Sequence, residues 1–529
     1  MSAAALAPAW LKPTILVLAG VFLLGCLTTE AKDPDAWWHL KTGEYIWQQH
    51  TFPAPDPFAY TTYLGKPYPG EEDVRYFNLT HEWLAQVMLY LAYAAGGFPG
   101  LILFRATLLL LVCAATGLLA WHRSGHFYLA IAAMLLAGGV ATYFAADRPF
   151  LFSFVFLAAV LVVLEYRRYL WVLPPLFAIW SNMHGGYFLG WVPLAVYCAD
   201  SWLRKDPPAA QRRLWMVFAA SVLASGLNPN GFRVLSVLRA YRASPMQSTL
   251  LEWQHTAFWE LSWFSVILFP TAAILLLKYR KVRPADWILF ALFAGAAIWA
   301  VRNTILVGLL GPILLVAYLP WRRPLPRLAE FAAAVLLAVG IGAGVARGAS
   351  FQLRPALWRY PTGAADFLLA HGITGRMFNV YNSGGYLIWR MWPRQKVFID
   401  GRALNESLYA DYQRILLQAD DALLAKYGIE VIVAEGFDNT GAALMLPAIL
   451  SDPAQKEWKL VYQDAQSMIF MRHPPAEIPV LNSLDALVSM ESQCAERLRH
   501  ETSACASSLA SLFAKIGDRT RAARWSMQR

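Results

Sequence analysis

Charge is what this sequence has least of. Lys, Arg, Asp and Glu supply 15% of its 529 residues while 57% are hydrophobic, against about 25% charged in soluble proteins. So small a polar complement excludes an ordinary water-soluble domain and makes a bilayer the expected solvent. Cysteine is nearly as scarce, with five in all, which excludes a disulfide scaffold. Cys26, Cys113 and Cys198 sit in or beside apolar runs, where a thiol acts as a small hydrophobe. Only Cys494 and Cys505 lie in polar surroundings, where an oxidising compartment would let them pair. A small-residue cleavage site is missing after the first apolar run, Pro13 to Thr28, so that run is read as a retained span. Inverted repeats and paired broken helices are missing too, which argues against a transporter. The net charge of +10 does not imply nucleic acid, because the basic residues fall in short clusters between apolar runs, where they carry topology.

A helix needs about 20 apolar residues to cross the hydrocarbon. Eleven spans are expected on that basis, the last of them Leu328 to Val345. The stretch Glu82 to Ala95 is only about a dozen residues before Gly96 and Gly97. Laid in the interface, it puts Lys12, Arg123, Arg167, Arg204, Arg283 and their basic neighbours on the cytoplasmic side, as the positive-inside rule requires. The remaining polar motifs then share the opposite face, with the N-terminus cytoplasmic and the C-terminal region outside. Ionisable groups near a bilayer are expensive and mark functional sites.

Candidate residues follow from that sorting. Asp33 and Asp35 open a long outer loop, 30–82, whose Trp37 and Trp38 suit interfacial anchors. A carboxylate there can act as general base or hold a divalent cation, magnesium or manganese, with Asp33 and His81 as ligands. Helix capping and an aromatic belt explain the same residues without chemistry. Glu82 beside His81 is a third carboxylate of the catalytic set. Arg105, a few residues into the second span, requires an acid or a phosphate beside it. Arg148 and Arg302, at outer helix ends, suit a lipid-linked phosphate or simple snorkelling to headgroups. His184, before Gly185-Gly186, suits a tight turn or a ligand contact, and Glu252 is a further acid in the second long outer loop.

After residue 349 the pattern changes. Short β-type runs at Arg376 to Val380, Lys396 to Ile399 and Ile429 to Ala434, a helix at Glu406 to Gln418, and a hairpin over Trp458 to Met471 predict a small α/β domain at 350–475. Residues 476–529 read as helices resembling part of a tetratricopeptide unit, suited to capping or docking a protein partner. The fold class expected is therefore an α-helical polytopic membrane protein, its membrane domain covering 1–349, with a soluble C-terminal α/β domain and terminal helices.

Asp33-Pro34 resembles the Asp-Pro that opens the outer loop of oligosaccharyltransferases. Asp35 before Trp37-Trp38 resembles the acid of protein O-mannosyltransferases, with His81-Glu82 and Arg105 at the places of their His-Pro-Pro segment and second-span arginine. Together with the topology over residues 1 to 350, these features resemble the GT-C superfamily of polyprenyl-phosphate-dependent glycosyltransferases, which also includes the lipid A aminoarabinose transferases. The sequence lacks the adjacent Asp-Glu pair and the Pro-Pro after His81, so the sugar and acceptor are not carried over. Trp180-Ser-Asn-Met-His-Gly-Gly and Val397-Phe-Ile-Asp-Gly-Arg resemble a bacterial subgroup, a likeness of architecture rather than activity. The resemblance implies sugar transfer from a polyprenyl-phosphate donor to an acceptor at the periplasmic face of a bacterial inner membrane. Two rival readings are an O-antigen ligase or polymerase, working through Arg233, Arg239 and Arg242, and a non-catalytic assembly protein that docks partners through its tail.

Overall fold

The computed structural model describes residues 10–243, 251–321, 324–402 and 404–528. The chain divides into two compact units, and the division is not at a single point: one unit runs to Ala31 and resumes over His81–Arg354, the other joins Lys32–Thr80 to Pro355–Arg529.

The first unit is helical. A helix occupies each of the eleven segments expected from hydropathy, from Leu11–Leu27 to Arg327–Ala346. Among the described residues four helical stretches, ending at Ser124, Phe144, Tyr318 and Ala346, are long and apolar enough to cross a bilayer; Leu11–Leu27, Phe150–Tyr166, Leu170–Met183, Trp263–Leu277 and Pro284–Trp299 are apolar but shorter. The helix Trp83–Ser124 leaves helical geometry at Gly96 and Gly97, and Gly97 takes the left-handed φ of 60° that glycine tolerates. The break falls where the sequence ends the segment Glu82 to Ala95. Elsewhere small residues let helices approach: a methyl group at Gly311 would collide with Ile267, and one at Gly139 with Trp263.

The second unit holds the only sheet among the described residues. Strands β1 (Met377–Asn379), β2 (Val431–Ala434), β3 (Lys459–Gln463) and β4 (Met468–Met471) lie in the order β1-β2-β4-β3, with β1 and β2 parallel and the rest antiparallel. A parallel pair needs a crossover, supplied by the helices Glu406–Gln418 and Asp421–Lys426. Lys396 to Ile399, expected as a strand, makes a single bridge from Val397 to Ala59. A side chain takes the place of a ladder there: Phe398 N–H donates to Asn379 Oδ1 at 2.8 Å, and Asn379 Nδ2 donates to Ile399 O at 2.8 Å. The terminal helices Asp485–His500, Cys505–Lys515 and Arg519–Ser526 close the same apolar core as the sheet, through Met490, Phe513 and Trp525. Cys494 and Cys505 are joined as a disulfide, their Cα atoms 5.6 Å apart.

The first loop belongs to this unit. Trp37 and Trp38 are buried, Trp37 edge-on to Tyr360 at 5.1 Å and to Tyr386 at 4.9 Å, so they are core residues where the sequence suggested headgroup anchors. A methyl group at Gly385 would strike Pro34 O, and one at Gly401 would strike Asp35 Oδ1. The motifs Gly384-Gly385-Tyr386 and Asp400-Gly401-Arg402 are thus the packing counterpart of Asp33–Trp38. Arg402 completes the join between two buried carboxylates, 2.6 Å from Asp56 Oδ1 and 2.7 Å from Asp400 Oδ2, and their charge raises its already high pKa further.

Candidate functional site

Site residues gather at one set of helix ends in the first unit. Glu82 caps Trp83–Ser124, His184 follows Leu173–Met183, Arg148 precedes Phe150–Tyr166, and Arg302 precedes Thr304–Tyr318. Each is placed by a local device. Trp83 Nε1 donates to Asn182 Oδ1 at 2.8 Å, and Asn182 Nδ2 donates to Leu227 O at 2.7 Å. That pair fixes the start of one helix against the end of another.

His184 is held most tightly. Gly186 N–H donates to His184 Nδ1 at 3.0 Å, so Nδ1 is unprotonated and the neutral ring carries its hydrogen on Nε2. Ser153 hydroxyl then donates to the same Nδ1 at 2.7 Å, while Ser153 Oγ accepts from Trp180 Nε1 at 2.7 Å. A methyl group at Gly186 would collide with both His184 Nδ1 and Ser153 Oγ. The motif from Trp180 to Gly186 is therefore one fixture for an imidazole. Burial pushes the pKa of His184 down to about 4; the Glu82 carboxylate opposes that shift, and His81 and Arg302 reinforce it. Its Nε2 lies 3.7 Å from Glu82 Oε1, which His81 Nε2 approaches from elsewhere at 3.1 Å. One carboxylate thus stands between two imidazoles, with the charge of Arg302 felt at the same place.

A pair of arginines forms the other half. Glu252 reaches both, with Oε1 3.3 Å from Arg302 Nη1 and Oε2 3.8 Å from Arg148 Nη1. The Arg302 guanidinium lies over the Trp253 ring, 4.5 Å from its centre. All three charged side chains remain partly open to solvent.

Arg105 is elsewhere and fully buried. It donates to Asp147 Oδ2 at 2.9 Å and to the Thr29 carbonyl, so the partner that its position demanded is an acid of the same unit. Asp33 and Asp35 belong to the second unit, where Asp33 Oδ1 accepts from Asp35 N–H at 2.9 Å and Asp35 Oδ1 from Trp38 Nε1 at 3.0 Å. The helix begins at Asp35, one residue later than a cap at Asp33 with Pro34 first would give. Asp33 and His81, the expected metal pair, fall in different units. Among the described residues no group of three or more His, Cys, Asp or Glu side chains is arranged to hold a metal ion.

Ser153 is the residue that sequence reading missed. Its one signal is a lone hydroxyl within the apolar run from Phe150 to Leu164. Arg242, named with Arg233 and Arg239 for the ligase reading, has a side chain outside the described residues.

No family model and no curated protein matches the chain. Among solved structures it resembles the crystal structure of the apo oligosaccharyltransferase of Archaeoglobus fulgidus, at a TM-score of 0.54 and 11% identity over 89% of this chain and 75% of that one. The same enzyme tethered by a disulfide to an acceptor peptide with the NVT sequon matches at a TM-score of 0.51, again at 11% identity, 89% and 75%. At that identity the finding is one of fold: the chain has an oligosaccharyltransferase-like architecture.

Proposed function

We propose that the chain is a membrane glycosyltransferase that moves a sugar from a polyprenyl-phosphate donor to an acceptor at the periplasmic face of a bacterial inner membrane. One observation carries the reading: within an oligosaccharyltransferase-like fold, a carboxylate flanked by two imidazoles and a pair of guanidiniums meet at the same helix ends. The first can accept a proton, and the second can bind a phosphate. Phe150–Tyr166 has 17 residues, roughly 25 Å of helix. At its far end stand Arg167, Arg204 and Arg283, whose basic neighbours favour the cytoplasm by the positive-inside rule. The site end is then the outer one.

The step is a displacement at the anomeric carbon. The acceptor heteroatom forms the new bond to that carbon while the bond to the phosphate oxygen breaks, and the phosphate leaves with the bonding pair. Glu82 takes the acceptor proton. His184, neutral with its hydrogen on Nε2, presents that N–H toward the carboxylate without a competing charge. Arg105 is spent on Asp147, so the departing phosphate is assigned to Arg148 and Arg302, which gain more from it than from the ester.

The test supplies the purified full chain, in lipid vesicles, with a panel of labelled polyprenyl-phosphate sugars and acceptor extracts. Label should pass from lipid to acceptor with at least one donor. Absence of transfer with every donor, from a chain that is folded and inserted, would count against the reading. Asp33→Asn combined with Asp35→Asn examines the rival bases in the same assay: loss of transfer from folded protein would move the base to the first loop.

A further inference from the structure

An anion already stands between Arg148 and Arg302, and that anion, the Glu252 carboxylate, is part of the chain. We infer that Glu252 is the resident counter-ion of these two arginines: its carboxylate takes the place of the lipid phosphate monoester that sugar transfer releases, and is displaced as that monoester forms. This rests on the donor reading above and adds a regulatory contact at that site.

The geometry separates a placeholder from a structural brace. Where this chain uses an arginine structurally, the contacts are short and dry, as with Arg402, 2.6 Å from Asp56 and 2.7 Å from Asp400 with side chains no more than 3% exposed. The Glu252 contacts are 3.3 and 3.8 Å, each to a single nitrogen, and its side chain is 39% exposed. Open ion pairs of this kind hold weakly and are readily exchanged. A lipid phosphate monoester has three free oxygens and up to two charges, so it can make two-pronged contacts that one carboxylate shared between two guanidiniums does not.

The surroundings let the carboxylate leave alone. The Leu251–Trp253 turn is pinned next to the Val301–Asn303 turn, with Val301 N–H donating to Gln254 O at 3.0 Å and Thr256 N–H to Ile298 O at 3.1 Å. Trp253 keeps the Arg302 guanidinium in position through its ring. A rotation of the Glu252 side chain therefore withdraws its carboxylate from both guanidiniums with the backbone unchanged. In the resting state the carboxylate competes with stray anions for both guanidiniums. A lipid phosphate monoester outcompetes it, and a diester, with two free oxygens and one charge, gains little by doing so.

The experiment uses the full chain in detergent and farnesyl phosphate as probe, with inorganic phosphate, phosphatidylglycerol and farnesol as separate arms. Glu252→Gln should bind farnesyl phosphate about tenfold more tightly than wild type, and Arg302→Gln should lose the binding. Equal or weaker binding by folded Glu252→Gln overturns the displacement. Tightening for phosphatidylglycerol as strong as for farnesyl phosphate would assign the two arginines to headgroups and overturn the monoester-specific form. A second measurement needs no variant: carbodiimide labelling of Glu252 in wild type should rise on addition of farnesyl phosphate, and unchanged or reduced labelling overturns the proposal. If neither wild type nor variant binds any phosphate, the donor reading itself falls. If wild type binds and Glu252→Gln binds no tighter, only the displacement does.

Discussion

Three helices of the first unit begin at one charged cluster and end at or near another, and the two clusters are built on opposite principles. At the far ends of Trp83–Ser124, Phe150–Tyr166 and Thr304–Tyr318 stand Arg123, Glu165 and Tyr318, joined by Arg283 and Asp286 from the start of Pro284–Trp299. Arg283 grips Glu165 with two nitrogens at 3.0 and 2.9 Å and also donates to Asp286 at 2.9 Å. Arg123 donates to Asp286 at 2.8 Å, and the hydroxyls of Tyr318 and Tyr197 each donate to one of the two acids. Two positive and two negative charges cancel there with nearly every oxygen engaged. At the near ends, Glu82 shares two imidazoles at 3.1 and 3.7 Å, and Glu252 is stretched between two arginines. A closed knot holds helices together; a cluster partly open to solvent lets a ligand reach its charges. The difference teaches where chemistry belongs in a chain that has so little charge to place.

The largest expected effect lies on the loose side. Glu82→Gln keeps the volume and removes the base, so sugar transfer should fall by roughly 10²–10⁴-fold while the thermal midpoint in detergent stays near wild type. A stable variant with undiminished transfer would dissolve the distinction between the ends. The mirror experiment is Asp286→Ala, which removes a buried acid and leaves the half-buried Arg123 and Arg283 with fewer partners. It should destabilise the fold by about 3–5 kcal/mol, read by thermal unfolding, with transfer per folded molecule unchanged.

Much of this division is written in the residue order. Basic clusters between apolar runs sort Arg123 and Arg283 from Arg148 and Arg302 before any coordinates, and the helix ends group them in the same way. The small sheet was equally legible: β1, β2 and the β3–β4 hairpin fall within the expected runs, and Glu406–Gln418 has the expected limits. Pairing by side chains was not legible. Asp286 and Glu165 are single acids in apolar stretches, and nothing in their spacing names Arg283 as partner. Trp37 and Trp38 carry an amphipathic signal that suits a headgroup layer and a soluble core alike, and only Tyr360 and Tyr386, more than three hundred residues away, decide between them. Arg105 showed that it needed a partner but not that Asp147 was the one.

Acid should act selectively on the near end. The folded chain keeps His184 neutral with its pKa at about 4, whereas an unfolded chain protonates it below the ordinary value of 6.5. The stability that comes from a neutral His184 is complete above that ordinary value and is lost as pH falls from there through about 4. Over the full window it amounts to about 3 kcal/mol. Thermal unfolding followed from pH 7 down to pH 4 should show this slope in wild type, and His184→Asn should flatten it. An unchanged slope would remove His184 from the account of the acid response and assign it to other groups.

The smallest effect distinguishes positioning from packing at Ser153. Its hydroxyl donates to the unprotonated Nδ1 of His184 and accepts from Trp180 Nε1. Ser153→Ala therefore withdraws a hydrogen bond from the neutral imidazole and strands a buried indole N–H, at a loss of about 1–3 kcal/mol in stability. A merely structural serine would stop there. Because the lost bond favoured the neutral ring, its removal makes His184 easier to protonate, and the acid limb of the transfer rate should move up by roughly 0.7 of a pH unit. If stability falls while the acid limb stays where it was, Ser153 only fills space, and the imidazole owes its state to burial and to the Gly186 amide.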